Sequence, residues 1–414
     1  MSLDLKSIQN QVYSIFSNIL SWFFHFIRLT RDSKLKLQND KDYCVYIPAP
    51  GGLEKLKELK LGDNQENIAA VGYNVPSFPP PLVKTKLFNI ESDPTLVLVT
   101  VEYFSINYAD ICIRWGLYES ALRYVGWPIV PGFDFSGTVA VAGSQSGYEV
   151  GDRVFGFTLF GAYSRKLLVP ARQIRKVSSR STIPMDTYAA FPAVAATALH
   201  SLALAGGWPS TPVTKHRAAL VHSAAGGVGT MLLQMLKHQG YHPIVAVVSS
   251  DSKVDICTTL GADHVINKRK TDLWKEAKRL SPDGYSAIFD ANGIETLQAS
   301  YDHLSNCGRL IVYGFHSNLS RDSAYLSPLA WVRMIYDLVR MPKFDTMQMV
   351  LESKSIAGFN LSFFAEEHAL IEGYMTQLVT WLEGGVLQCP DIDVFPLSEV
   401  KQAQKYIQSG ASVG

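Results

Sequence analysis

The chain has 414 residues, 47% of them hydrophobic and 18% charged, with a formal net charge of +1. That length provides for two domains with buried cores, and the near-neutral charge excludes nucleic acid or any other partner held by bulk electrostatics. The five cysteines, Cys44, Cys112, Cys257, Cys307 and Cys389, have neither paired nor zinc-like spacing, so they read as reduced thiols of a cytoplasmic protein.

The first predicted element is an amphipathic helix over Val12 to Leu29. Ser14, Ser17, Asn18, Ser21, His25 and Arg28 gather on one stripe and leave Ile15, Phe16, Ile19, Trp22, Phe23, Phe26 and Ile27 on a broad apolar face. Such a helix covers about 27 Å at the usual rise, short of a roughly 30 Å hydrocarbon core, and its polar stripe argues against spanning. Arg28, Arg31, Lys34 and Lys36 add a basic edge suited to anionic lipid heads. The expectation is a peripheral contact of residues 12–36 with an anionic intracellular membrane surface; docking on the protein's own surface or on a partner is the alternative. A signal peptide is a poor fit, since the segment lacks a small-residue cleavage site.

Residues 1–42 thus form an N-terminal extension, and a β-rich domain follows over 43–183. Tyr43 to Ile47 alternates like an edge strand and leads to the turn Pro50-Gly51-Gly52. Leu61 to Pro94, polar and then rich in proline at Pro76, Pro79, Pro80 and Pro81, reads as a surface insertion. Strands are predicted at Thr95 to Tyr103, around Gly137 to Val141 and at Ala162 to Val169, punctuated by Gly132, Gly143, Gly147 and Gly151. From Pro184 the pattern changes to strand–helix alternation. Ala218 to Val221, Ile244 to Val248, His264 to Ile266, Ala287 to Asp290 and Arg309 to Tyr313 are five strands of a doubly wound parallel sheet of the Rossmann type, over 184–343. Residues 344–414 are mixed and return to the first domain.

Ala224-Ala225-Gly226-Gly227-Val228-Gly229 follows the first of these strands and precedes a helical pattern beginning at Met231. Gly226 and Gly227 permit a tight turn and close approach of a pyrophosphate, Gly229 lets the helix pack near the strand, and the helix N-terminus offers N–H groups to the phosphates. The next strand ends in Ser249-Ser250-Asp251-Ser252-Lys253 rather than in the acid that an NAD site places there. Two hydroxyls and an ammonium, with Lys268 after the third strand, suit the 2′-phosphate of NADPH. Asp251 argues the other way, and the bland reading is that this segment caps the next helix. Asn292, in Asp290-Ala291-Asn292-Gly293, and Tyr313-Gly314-Phe315 end the fourth and fifth strands, where ribose and nicotinamide contacts belong.

Asn107-Tyr108-Ala109-Asp110, Pro131-Gly132-Phe133-Asp134-Phe135-Ser136-Gly137, Gly151-Asp152-Arg153-Val154, Ala196-Thr197-Ala198, the glycine hexapeptide and Leu260-Gly261-Ala262-Asp263-His264-Val265-Ile266-Asn267 occur in that order. This set resembles the medium-chain dehydrogenase/reductase superfamily, in its zinc-free quinone oxidoreductase branch. Gly358-Phe359-Asn360-Leu361 resembles the vesicle amine transport protein group within it. The resemblance implies a GroES-like β-rich catalytic domain beside the Rossmann domain. Zinc-dependent members carry a Cys at the position of Asn107 and a His-Glu pair at Phe133-Asp134; neither Asn nor Phe replaces such ligands, so no metal is implied. It further implies Tyr118 as the proton donor in the substrate cleft, Asn107 orienting substrate or nicotinamide, and Thr197 beside the nicotinamide. The bland readings are a packed aromatic for Tyr118 and a turn-stabilising contact for Asn107. Asp110 and Asp134 are expected to hold the fold. Gly410 stands where relatives often carry a basic residue for the 2′-phosphate, which implies weaker NADPH affinity.

The function expected from this reading is an NADPH-dependent, metal-free transfer of hydride to a quinone or to an α,β-unsaturated carbonyl or enoyl substrate. The rival is a membrane-associated NADPH-binding protein of vesicle or lipid trafficking with little turnover. A homodimer is expected, joined through the cofactor sheet edge near Arg309 to Tyr313.

Overall fold

Alternating β-branched and aromatic residues in the first half of the chain build antiparallel sheet, and uninterrupted apolar runs in the second half build parallel sheet. The computed structural model describes residues 42–61, 93–127, 129–207, 217–315, 336–337, 339–364 and 367–414. The predicted helix at 12–29, its basic edge, the proline-rich tract and most of the segment between 316 and 338 lie outside the described residues.

In the first domain a hairpin of β1 (Asp42–Tyr46) and β2 (Lys57–Leu61) lies beside a five-stranded antiparallel sheet. That sheet comprises β3 (Leu96–Phe104), β4 (Asp134–Ala142), β5 (Arg153–Phe157), β6 (Lys166–Pro170) and β7 (Ile174–Lys176), in the order β6-β3-β4-β5-β7. Val97, Val99, Val101, Phe135, Val139, Val154, Leu167 and Val169 form its interior. Between β3 and β4 run two short helices, α1 (Tyr108–Arg114) and α2 (Glu119–Tyr124). The strands β2, β5 and β7 lie outside the sequence expectations; β5 begins with Arg153 and Val154, the last two residues of the motif Gly151-Asp152-Arg153-Val154.

Helices α3 (Met185–Ala190) and α4 (Pro192–Leu204) lead into the second domain. Its parallel sheet takes β8 (Ala219–Val221), β9 (Ile244–Val248), β10 (His264–Asn267), β11 (Tyr285–Asp290), β12 (Leu304–Val312) and β13 (Ser355–Gly358), in the order β10-β9-β8-β11-β12-β13. Strand alternation explains its double winding. Ala219, Val221, Ile244, Ala246, Val248, Phe289 and Ile311 enter one core, while Leu220, Val245, Val247, Ile288 and Leu310 enter the other. On the first face lie α4 and α5 (Gly227–His238). After α6 (Val254–Thr259), the helices α7 (Leu273–Leu280) and α8 (Ile294–Asp302) cover the opposite face with Ala277, Leu297 and Tyr301.

Two expectations need correction. Strand β12 is paired on both sides, by β11 and β13, so the edge of the sheet is Ser355–Gly358 and not Arg309 to Tyr313. The stretch from α9 (Thr346–Glu352) through β13 therefore belongs with the cofactor sheet, and the return to the first domain comes later than residue 344. Helix α10 (His368–Glu383) still packs on the α4–α5 face through Tyr374, Leu378 and Trp381. Helix α11 (Val400–Ser409) reaches the catalytic domain: buried Arg114 of α1 donates to Gln404 Oε1 at 2.8 Å and to Gln408 Oε1 at 2.9 Å.

Candidate active site

The glycine turn sits where strand order reverses, between β8 and its neighbours β9 and β11, at the carboxyl end of the sheet. Gly226 precedes α5 in extended conformation. A Cβ on Gly229 would stand 2.6 Å from the carbonyl oxygens of Ser223 and Ala224, so only glycine lets α5 start that close to the strand. A Cβ on Gly227 would stand 2.8 Å from Val194, which gives this glycine a packing reason against α4. A Cβ on Gly226 would meet only the Ser223 oxygen at 3.4 Å, so this residue faces open space. That is the side from which a phosphate can approach N–H groups that a helix leaves without internal partners.

Neighbouring loops are tied to this turn. The Ala224 N–H donates to Val247 of β9 at 3.1 Å, and the Ser223 hydroxyl donates to Asn292 Oδ1 at 3.0 Å. Buried Asp290 shapes the loop carrying Asn292 by accepting from the N–H groups of Asn292 (2.8 Å) and Gly293 (3.1 Å). Tyr313 donates its N–H to the Asp290 carbonyl at 3.0 Å; it and Gly314 are half-buried, and Phe315 is exposed. Ala225, Val228, Asn292, Tyr313 and Gly314 are thus brought to one end of the sheet.

Toward the ribose end, Ser250 acts as a cap: its Oγ accepts from Ser252 N–H at 3.3 Å and shares a hydrogen with Ser252 Oγ at 2.7 Å. Asp251 pairs with Lys270 and accepts from Asn267 at 2.6 Å, bonds that hold its carboxyl below the usual range and turn it toward β10. Lys253 donates to the carbonyls of Gly410 (2.9 Å) and Ser412 (2.7 Å), and Gly414 N–H donates to Ala225 O at 3.0 Å. The segment after α11 therefore runs along the glycine turn, and Lys253 is fastened to it. Ser249 is half-buried at the end of β9, and Lys268 is exposed, its N–H bonded to Val248 O at 3.0 Å.

Across from this turn the catalytic domain offers a buried carboxylate pair. Asp110 of α1 accepts from the N–H groups of Asn107 (2.8 Å) and Gly132 (2.9 Å) and from Tyr163 Oη (3.1 Å). Asp134, at the start of β4, accepts from Ser105 Oγ, from Asn107 Nδ2 at 3.0 Å and from the Ala193 N–H of α4 at 2.9 Å. Burial raises Asp110 to about 7 and Asp134 to about 6, against these hydrogen bonds, and the charge of Asp134 adds to the rise at Asp110. Both residues hold the fold, as their turn positions imply. The amide of Asn107 is a different matter. Its Nδ2 donates to Ser105 Oγ (2.9 Å) and Asp134, so both its hydrogens are engaged inside the protein rather than offered to a substrate. Thr197 likewise returns its hydroxyl hydrogen to Ala193 O at 2.7 Å.

Tyr118 caps α2 and stands edge-on to Phe133 (5.9 Å between centroids) and Phe160 (6.4 Å). Burial raises its hydroxyl to about 12, so the phenol keeps its proton at neutral pH. That proton points to Asn360 Oδ1 at 3.0 Å. Asn360 and its neighbour Ser362 carry no isolated signal in the sequence, where Asn360 appears only within a family likeness. Two of the three positions matching zinc ligands hold an amide already spent and a phenyl ring, and the carboxylate of Asp134 already accepts from Ser105, Asn107 and Ala193, so this donor set does not fit zinc. Among the described residues, no group of three or more His, Cys, Asp or Glu is placed to hold a metal.

Comparison with known proteins agrees with this fold. Residues 93–179 match the alcohol dehydrogenase GroES-like domain, and residues 227–372 match the family described as zinc-binding dehydrogenase. A probable quinone oxidoreductase of Schizosaccharomyces pombe is 29% identical over 324 residues, 78% of this chain and 88% of that protein. The human synaptic vesicle membrane protein VAT-1 homolog is 28% identical over 313 residues, 75% of each chain. The Escherichia coli quinone oxidoreductase complexed with NADPH has the same fold, with a TM-score of 0.67 at 21% identity over 90% of this chain and 98% of that one.

The carboxylate pair makes a prediction about pH. A carboxyl raised in the folded state binds a proton that the unfolded chain releases, so its contribution to stability is full below about pH 4 and is lost as pH rises to the folded value. For Asp110 that value is about 7. Asp110→Asn also replaces an accepting oxygen by a donor, which destabilises at every pH by about 1–3 kcal/mol. Urea melts at pH 4, 5.5 and 7.5 should therefore show a wild-type advantage that shrinks as pH rises; an advantage that widens contradicts the assignment.

Proposed function

We propose a function on one premise: the chain belongs to the medium-chain dehydrogenase/reductase superfamily, near its quinone oxidoreductases and the VAT-1 homologues. On that premise it is an NADPH-dependent reductase of a quinone or of an α,β-unsaturated carbonyl, working without zinc. The observation that carries the reading is the open glycine turn at the strand-order reversal together with an aromatic-lined phenol on the other domain. Its support for NADPH is the absence of a ribose acid at the end of β9: Asp251 is spent on Asn267 and Lys270.

In this reading Gly226, Gly227, Val228 and Gly229 hold the pyrophosphate by backbone N–H groups, and Ser249, Ser250, Lys253 and Lys268 surround the 2′-phosphate. Asn292, Tyr313, Gly314, Phe315 and Thr197 line the ribose and nicotinamide. When bound, the cofactor supplies the hydride. Tyr118 supplies a proton, or a water beside it does. Asn107 positions: its amide fixes Asp134, which in turn fixes the N-terminus of α4. Phe133 and Phe160 exclude water from one side of the phenol.

A second reading rests on the match to proteins named for a synaptic vesicle membrane. In it, residues 12–36 attach the chain peripherally to an anionic membrane, where the protein serves vesicle or lipid trafficking. No helix among the described residues is long and apolar enough to cross a membrane. Deleting residues 1–36 should release the protein from anionic liposomes in flotation and leave its melting temperature unchanged; a large drop in melting temperature with lipid binding intact would mean that the segment packs on the protein.

Two substitutions test the reductase. Lys253→Ala should weaken NADPH binding by about 1–3 kcal/mol, as for loss of a charge-assisted bond, and NADH binding much less; equal losses would put Lys253 away from the 2′-phosphate. Tyr118→Phe should lower turnover of an enone by about 10²–10⁴-fold with NADPH affinity unchanged. An undiminished rate would leave water as the donor.

A further inference from the structure

The Tyr118 hydroxyl is one corner of a network that crosses between the two domains. Its acceptor, Asn360 Oδ1, also accepts from the Ser362 N–H at 3.0 Å and from the Ser362 hydroxyl at 2.6 Å. Ser362 Oγ is in turn 2.7 Å from Ser120 Oγ of α2. A backbone N–H can only donate, so the atom facing Ser362 N–H is the amide oxygen, and the orientation of the Asn360 side chain is settled by that bond.

With its oxygen held by three donors, the amide must present Nδ2 on its other side. Asn360 is half-buried, and Nδ2 has no hydrogen-bond partner among the described residues, yet it is not sealed from solvent. Two N–H donors are thus fixed beside the phenol, where the chain leaving β13 crosses to α2. Donors locked in place before the reaction stabilise developing negative charge without reorganisation. Asn107 and Thr197 have already spent their side-chain hydrogens internally, and the phenol gives its own to Asn360 Oδ1, whereas the hydrogens of Asn360 Nδ2 are given to no described residue.

We propose that Asn360 Nδ2 donates to the carbonyl oxygen of the substrate, selecting quinones and enones over activated alkenes that lack a carbonyl. This rests on the reductase reading above. The amide then has two functions at its two ends: the oxygen orients the phenol, and the nitrogen binds the oxygen on which charge accumulates as hydride arrives.

The test is a cycle of Asn360→Ala and Tyr118→Phe, alone and together, with kcat and KM for a quinone and for an enone at saturating NADPH. NADPH affinity serves as the check on the fold. A direct donor predicts that Asn360→Ala lowers kcat/KM by about 10²-fold in both backgrounds, because its bond to substrate survives the loss of the phenol. No further loss in the Tyr118→Phe background would overturn the proposal, since Asn360 would then act only through Tyr118. Asn360→Asp keeps the oxygen that accepts from Ser362 and Tyr118 but has no N–H, and it should be as impaired as the alanine variant; wild-type kinetics for it would also overturn the donor role. Wild-type protein that binds NADPH and reduces no carbonyl substrate would instead overturn the reductase reading, and this donor with it.

Discussion

The carboxylate of Asp134 joins the two domains at the place where they must meet for chemistry. One oxygen takes Ser105 and Asn107 from the catalytic domain, and the other takes the Ala193 N–H at the start of α4, the helix that opens the cofactor domain. A buried carboxylate is costly unless its lone pairs are met by donors, and here they are met from both sides of the domain boundary. Moving α4 away from β4 would strand that group. The constraint fixes the distance between the face bearing Thr197 and the turn bearing Asn107. Asp110, supported by Gly132 N–H and Tyr163, adds a second buried carboxyl on α1 and ties that helix to the loop before β4. Where a zinc-dependent relative would place ligands, this chain has a hydrogen-bonded carboxylate with its donors.

The cofactor side obeys a separate constraint, the burial of a parallel sheet on both faces. Because β8, β9 and β11 send successive residues into opposite cores, their carboxyl ends are the part of the sheet that can meet a ligand. Gly229 allows α5 to begin against the Ser223 and Ala224 carbonyls, and Gly226 leaves the mouth of the turn open. The second contact between domains, Tyr118 with Asn360, arises from the segment that leaves β13. The site is therefore framed by one carboxylate and one amide, each held from both domains.

Much of this was legible in the residues. Continuous apolar runs separated by helical periods specify the doubly wound sheet, and the glycine hexapeptide marks its reversal point, because both follow from local sterics. Strands such as Ser355–Gly358 and Arg153–Phe157 were not legible, since four or five residues with a glycine among them acquire strand character only from a neighbour already in place. The functional direction of a polar side chain was the least legible property. Asn107 reads as a substrate ligand until its hydrogens are found on Ser105 and Asp134, and the bond by which Ser250 caps Ser252 is equally invisible in the residues. Asn360 was hidden for the opposite reason, since its partner Tyr118 is 242 residues away.

The central claim, a reductase that takes hydride from NADPH and stabilises the product oxyanion without a metal, is tested most directly by NADPH oxidation in the presence of a strong chelator. Purified full-length protein should consume NADPH with a panel of quinones and enones, in equal amounts with the reduced product, at a rate that chelation leaves unchanged. Turnover that disappears with chelator and returns with zinc would contradict the account, as would firm NADPH binding with no consumption across the panel.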